Sequence, residues 1–371
     1  MSKIFKIVIL IFLLIGLTVW ISVVKAPVSE EKILPPATEN PFIVPTMSDK
    51  IGNNAIWCCT FQLVWNDMKN NVVKKDIVFT PQEIMADNLN KEEFTQNMIS
   101  DKYYYKIYGL KSLELKAQIE KGIKDKFNQK SDILEDFDWT TEALNDPNNP
   151  NMQRYFFYTM LYRTFEFDKE FKVLEKSTFA NGTYNDVEYF GVDYETDDSV
   201  NTQIDVLYYN SKEDFAVVLK TKDNDEVILC KNPEGNNFNE IYTNMNNKAS
   251  TYTGVKYFED TDVFKAPKLE FNEKREYTEL QNKMFLTADP QYPEAIIIKS
   301  IQSISFELDE KGGKIKSEAA IDMVQNTAIE PIEEVEYRYF NVDDKFAIFL
   351  KEEGKSLPYF AANIEDISKF Q

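Results

Sequence analysis

The chain has 371 residues, 43% of them hydrophobic, with 27 Phe and 20 Tyr against only 11 Gly, so it can bury a large core and is neither low-complexity nor collagen-like. Its net charge of -20, from 62 acidic and 42 basic side chains, repels phosphate backbones and argues against nucleic acid as a partner. The absence of any His removes Ser–His and Cys–His catalysis and the commonest zinc ligand.

The chain opens on an uncharged apolar stretch, Ile7 to Val24, preceded by Lys3 and Lys6 and followed by Lys25. A run of this length is enough to cross a bilayer and is longer than most signal-peptide cores. The basic flank stays inside, which places the body outside the cytoplasm. The expectation is a signal-anchor over residues 1–26. The alternative is a cleaved signal and a secreted body, but Pro27 would follow a cut after Val24-Lys25-Ala26. Pro27, Pro35, Pro36, Pro41 and Pro45 then mark an extended linker over 27–50.

From Ile51 onward no second linker or internal repeat interrupts the chain, so 51–371 reads as a single domain. Ala55 to Val72 reads as a helix with Ile56, Cys59, Leu63, Val64 and Met68 near one face. Cys58 and Cys59 could bind metal or be redox-active, but they read more simply as small buried residues on that helix. With Cys230 they make three thiols and no disulfide framework. Asp76–Phe79 is a short apolar run. Thr80 and Pro81 after it read as the N-cap and first turn of a helix. Tyr103 to Tyr108 is β-like. Leu113 to Phe127 is helical, with Leu115, Ile119, Ile123 and Phe127 at four-residue spacing. Asn145 to Asn151 is a loop. Arg154 to Arg163, apolar without alternation, reads as a strand buried on both faces.

Strands then dominate: Val187–Val192, Ile204–Tyr209, Phe215–Lys220, Val227–Lys231, Val263–Phe271 and Ile296–Leu308. Phe346–Leu350 and Leu357–Ala362 close as a hairpin around Gly354. The class is α+β, with helices early and strands late.

In this order the segments resemble a serpin. Ile301 to Val324, with Asp-Glu-Lys-Gly followed by Ser-Glu-Ala-Ala, is similar to the strand that leads into the serpin reactive-centre loop. Phe340 to Phe360 resembles the serpin C-terminal hairpin. Phe264 to Phe271 resembles the Pro-Lys-Phe strand, Leu161-Tyr162 with Phe171 and Phe179 the central strand of the large sheet, and Phe79 to Ile84 the start of a core helix. The resemblance covers about 54–371. It implies N-terminal helices on a large mixed sheet, with further sheets and the C-terminal hairpin. The helical region is reduced, because Ile84 to Tyr103 is too short for the helices a serpin carries there. Thr159 and Arg163-Thr164 stand where the family has Asn and Lys-Gly, and Lys314, Ile315 and Lys316 are extra residues in the hinge.

The resemblance implies a suicide-substrate inhibitor whose partner is a protease and whose cleavable loop lies at about 310–336. It assigns the hinge to Glu310, Gly312, Gly313, Ser317, Glu318, Ala319 and Ala320. Counting from Gly313 puts the scissile bond after Asn326, and counting from Ser317 puts it after Glu330. Insertion of the cut loop as a strand needs alternation. Ser317, Ala319, Ile321 and Met323 would face inward, and Glu318, Ala320, Asp322 and Val324 outward. Ile321 and Met323 are larger than the family's usual residues there. A non-inhibitory binding or structural protein at the cell surface is the alternative. An enzyme using Asp223/Asp225/Glu226 or Asp193/Glu195/Asp197/Asp198 is disfavoured, because such runs usually form solvated loops and neither has EF-hand spacing. No cofactor, metal or catalytic residue is expected, and the oligomeric state is open.

Overall fold

The computed structural model describes residues 42–140, 153–315 and 338–371. Strand β1 (Phe42–Val44) pairs in parallel with β2 (Ala55–Cys58). Ile43, Val44 and Met47 are buried, so the folded body begins inside the span read as linker. The stretch expected as one helix from Ala55 is divided. Its first four residues form β2, and α1 (Thr60–Asp67) follows, running into a π-helical stretch at Met68–Val73. The β-branched and aromatic Ile56 and Trp57 suit a strand buried on both faces as well as they suit a helix, and periodicity could not separate the two. Cys58 thus ends a strand and Cys59 sits at the helix start. Both are buried, as is Cys230, and all three are free thiols.

Helix α2 spans Ile84–Asn90, with Glu83 rather than Thr80 at its N-cap position, and the Thr80–Pro81 peptide is cis. Next come β3 (Tyr104–Leu110) and α3 (Leu113–Phe127), then β4 (Tyr155–Leu161), β5 (Arg163–Glu166), β6 (Lys172–Phe179), β7 (Tyr184–Val192), β8 (Ile204–Ser211), β9 (Asp214–Lys220) and β10 (Asp225–Lys231). Helix α4 (Phe238–Thr251) follows, an element absent from the sequence reading. Its signal was there: Asn237 caps the Glu240 amide, and Phe238, Ile241 and Met245 share a face. The rest is β11 (Val263–Pro267), β12 (Leu269–Glu276), β13 (Met284–Leu286), β14 (Glu294–Ile296), β15 (Ile301–Leu308), β16 (Gly312–Ile315), β17 (Tyr339–Asn341), β18 (Phe346–Glu352) and β19 (Phe360–Ile364). The loop expected at Asn145–Asn151 lies outside the described residues, as does the Ile7–Val24 segment. No helix among the described residues is long and apolar enough to cross a membrane.

A seven-stranded sheet runs β1-β2-β19-β18-β10-β9-β8, with the expected C-terminal hairpin at its centre. The residues Phe346–Leu350 and Phe360–Ala362 are fully enclosed. A four-stranded sheet runs β17-β11-β7-β6. A second four-stranded sheet runs β12-β15-β16-β5; it stands where the serpin resemblance expects the main sheet and is given that label below, and β5 follows directly on β4, which pairs with β3. Phe306 of the main sheet stacks on Phe360 of the hairpin at 4.7 Å, joining the two layers across one large core.

Candidate functional site

Among the described residues the main sheet is complete at one end and has no strand between β15 and β4 along the rest. Beyond Leu308 the chain reverses at Asp309, whose carboxylate Oδ1 accepts the amides of Lys311 (2.8 Å) and Gly312 (3.2 Å). The turn is held from two sides. Glu310 is buried with its carboxylate 2.6 Å from Lys268 Nζ, and the Glu310 and Lys311 carbonyls accept from Phe171 and Phe167. Burial pushes the Glu310 carboxyl up, but the Lys268 ammonium, its own backbone amide and Lys311 together outweigh it and hold the group below its usual range.

Strand β16 then enters between β15 and β5, antiparallel to both. Gly313 lies opposite Leu308, Ile315 opposite Phe306 and Arg163, and Gly312 opposite Glu166. The glycines are required by contact: a Cβ on Gly312 would lie 2.1 Å from the Phe165 carbonyl oxygen, and one on Gly313 2.4 Å from the Phe165 ring. Ile315 is buried beside Phe306, while Lys314 reaches Glu307 on the outer face at 3.4 Å. The sequence-assigned hinge residues Glu310, Gly312 and Gly313 therefore form one turn and the start of a central strand. Lys314 and Ile315, two of the three extra hinge residues, extend that strand without a bulge. Ser317, Glu318, Ala319, Ala320, Asn326 and Glu330 lie outside the described residues.

Under the last pair of β16 lies a buried ionic cluster that the sequence reading did not find. The Arg163 guanidinium bonds Asp225, sits 3.6 Å from Glu352 and stacks 3.4 Å from the Tyr103 ring centre. Tyr359 donates to Asp225 at 3.0 Å. Burial dominates over these partners and pushes the Asp225 carboxyl up to about 6. The cluster ties β5 of the main sheet to β10 and β18 of the seven-stranded sheet. The one sequence signal was an Arg at the end of an aromatic strand.

Below Ile315 no strand pairs β15 with β4 among the described residues: β15 bonds only β12 along Ile301–Ser305, and β4 bonds only β3. The strands flanking β16 stand about 9–10 Å apart, twice the usual strand spacing. The opening continues as a cavity of about 880 Å³ lined by both strands. Helix α3 packs Leu115, Ile119 and Ile123 against Phe156, Tyr158 and Met160 on one face of β4. Helix α1 lies against the other face and contributes Phe61 and Val64 to the cavity, and the π-helical stretch after it adds Met68. Thr159 Oγ1 is buried here without a hydrogen-bond partner.

The acidic runs serve structure. Asp193 and Glu195 both hold Lys172, Glu226 pairs with Lys351, and Asp225 belongs to the Arg163 cluster. Among the described residues no group of three or more acidic or Cys side chains could hold a metal ion.

No protein-family model and no curated protein matches the chain. Solved serpin structures are similar to it in fold. Serpin48 of the insect Tenebrio molitor shares 11% identity, with 84% of this chain and 92% of that one covered, at a TM-score of 0.46. The thermophilic serpin tengpin in its native state shares 12% identity over 86% and 90%, at 0.46. Human thyroxine-binding globulin in complex with its hormone shares 10% over 84% and 91%, at 0.43.

Proposed function

We infer that this chain is a serpin-like protein in which residues after Ile315 form a protease-cleavable loop whose cut end completes the main sheet as a strand. One observation carries this reading: β16 already occupies the central position at Gly312–Ile315, and the slot ahead of it is empty among the described residues, with unpaired strand edges on both sides. Such edges favour pairing with an added strand. Each step forward along β16 takes one step back along both neighbours. Ser317 then falls opposite Ile304 and Leu161, and Ala319 opposite Gln302 and Thr159. Pairing with Phe306 puts Ile315 on the inner face, so Ser317, Ala319, Ile321 and Met323 follow it inward. The bulge-free start at Gly313 supports counting the scissile bond to Asn326–Thr327. The activity is inhibition of a protease trapped during cleavage; the chain itself turns over no substrate.

The test compares the melting temperature before and after a single cut in the loop. A site for a sequence-specific protease inserted after Asn326 leaves the upstream register unchanged. Strand completion raises the melting point by several degrees, since each large side chain buried contributes roughly 1.5–3 kcal/mol. Ala319→Arg abolishes the gain by placing a charge against the core. No gain in the otherwise unaltered chain overturns the reading. A gain without any denaturation-resistant complex with a protease leaves a non-inhibitory binding protein.

The N-terminal apolar run is proposed to hold the body outside the membrane. Full-length protein in the membrane fraction, with the body removable by added protease, supports this; a mature form starting near Ala26 in the medium overturns it.

A further inference from the structure

Away from the main sheet, the sheet that carries β17 and β11 presents tyrosines that its own core does not use. Phe258 and Phe340 turn inward, are buried, and lie 5.6 Å apart ring to ring. Their chain neighbours Tyr257 and Tyr339 are 63% and 37% exposed, as alternation along extended backbone requires. Tyr194, from the turn after β7, is 66% exposed and brings its hydroxyl to 3.4 Å from that of Tyr339.

The backbone under these rings is held firmly. Arg338 donates from Nε to Asp262 at 3.0 Å, from Nη1 to the Val255 carbonyl at 3.0 Å and from Nη2 to the Tyr257 carbonyl at 2.9 Å. The Tyr209 hydroxyl accepts the Tyr339 amide at 3.2 Å. Rings carried on fixed backbone meet a partner at little cost in ordering entropy, and exposed tyrosines presented this way mark an interaction surface.

The charge beside the rings selects the partner. Asp262 and Glu259 share the single Arg338 guanidinium. Asp193 and Glu195, the residues on either side of Tyr194, share the single Lys172 ammonium at 2.8 and 2.7 Å. Both groups hold more carboxylate than cation, in a chain of net charge -20, so an acidic partner is repelled. A ring face attracts a guanidinium, which also donates to neighbouring carboxylates through a planar fork that an ammonium lacks.

We propose that Tyr194, Tyr257 and Tyr339 form a docking surface for an arginine-rich segment of another protein. The tyrosine faces supply the contact area and the flanking carboxylates supply the sign. The surface is independent of strand completion in the main sheet, so either can fail without the other.

The experiment titrates the full chain, at about 0.15 M salt, with a dye-labelled oligo-arginine peptide and with an oligo-lysine peptide of the same length, read by fluorescence anisotropy. The arginine peptide binds about tenfold tighter, because ring faces and carboxylates favour the planar group, whereas charge alone treats the two peptides alike. Tyr194→Ser with Tyr257→Ser weakens arginine binding about tenfold and removes the preference, while Tyr194→Phe with Tyr257→Phe keeps the ring faces and stays within about twofold of the parent. Tyr108→Ser with Tyr155→Ser, at exposed tyrosines on β3 and β4, also stays within about twofold. The melting temperature of each variant separates lost binding from lost folding. Equal affinity for the two peptides, an equal loss from the β3–β4 pair, or no saturable binding overturns the proposal.

Discussion

The two ends of the main sheet are built in opposite ways. Around Gly312–Ile315 every position is constrained: a tight turn, glycines pressed on Phe165, a buried Glu310–Lys268 pair, and the Arg163 cluster beneath. Along Tyr155–Leu161 and Ile301–Ser305 the strands line a cavity, and among the described residues no strand pairs with their facing edges. The closed end holds β16 in one register against both neighbours.

Breaking the closed end has the largest expected effect. Arg163→Met strands Asp225 without its cation in the core, and the expected cost is about 3–5 kcal/mol by chemical denaturation. A loss under about 1 kcal/mol would show that the cluster does not tie the two sheets together. Gly312→Val drives a side chain into the Phe165 carbonyl, and about 2–3 kcal/mol is lost. This variant also loses the melting-point rise on cutting, because the strand no longer enters in register.

The two buried carboxyls sharpen the comparison through pH. The folded-state value of Asp225, about 6, lies above the ordinary value of 3.8, so the folded chain holds that proton more tightly than the unfolded one. Its contribution to stability therefore grows as pH falls from about 6 to about 4, by on the order of 2 kcal/mol, and Asp225→Asn removes that slope. Glu310 behaves oppositely. Its carboxyl is depressed, so its contribution is full above its unfolded value of 4.5 and is lost as pH falls through the lower folded value. Denaturation midpoints for Asp225→Asn and Glu310→Gln across pH 3–7 check both signs. The smallest effect is at the open end. Ser112 caps α3 by accepting the Leu115 amide at 3.0 Å, and Ser112→Ala costs about 1 kcal/mol without altering the rise on cutting.

Much of this was legible in the residues. The α3 boundaries, Leu113 to Phe127, follow from four-residue apolar spacing and a serine cap. The C-terminal hairpin follows from two enclosed apolar runs around Gly354. These features depend on neighbours a few residues apart, and a linear pattern records them directly. Residues Ala55–Cys58 failed as a helix because a strand enclosed on both faces has no polar side to betray its period. Arg163 was seen only as a departure from a family pattern, since its partners Asp225 and Glu352 lie far along the chain, on β10 and β18. The missing partner between β15 and β4 among the described residues left no mark in the sequence. A gap in a sheet is the absence of a partner along two strands, Tyr155–Leu161 and Ile301–Leu308, that come together only in three dimensions. Composition and alternation determined which segments could be strands and which faces they could bury; the long-range pairing in the tertiary structure decided which of them are neighbours and, among the described residues, which edges have no partner, because only pairing between distant strands determines either.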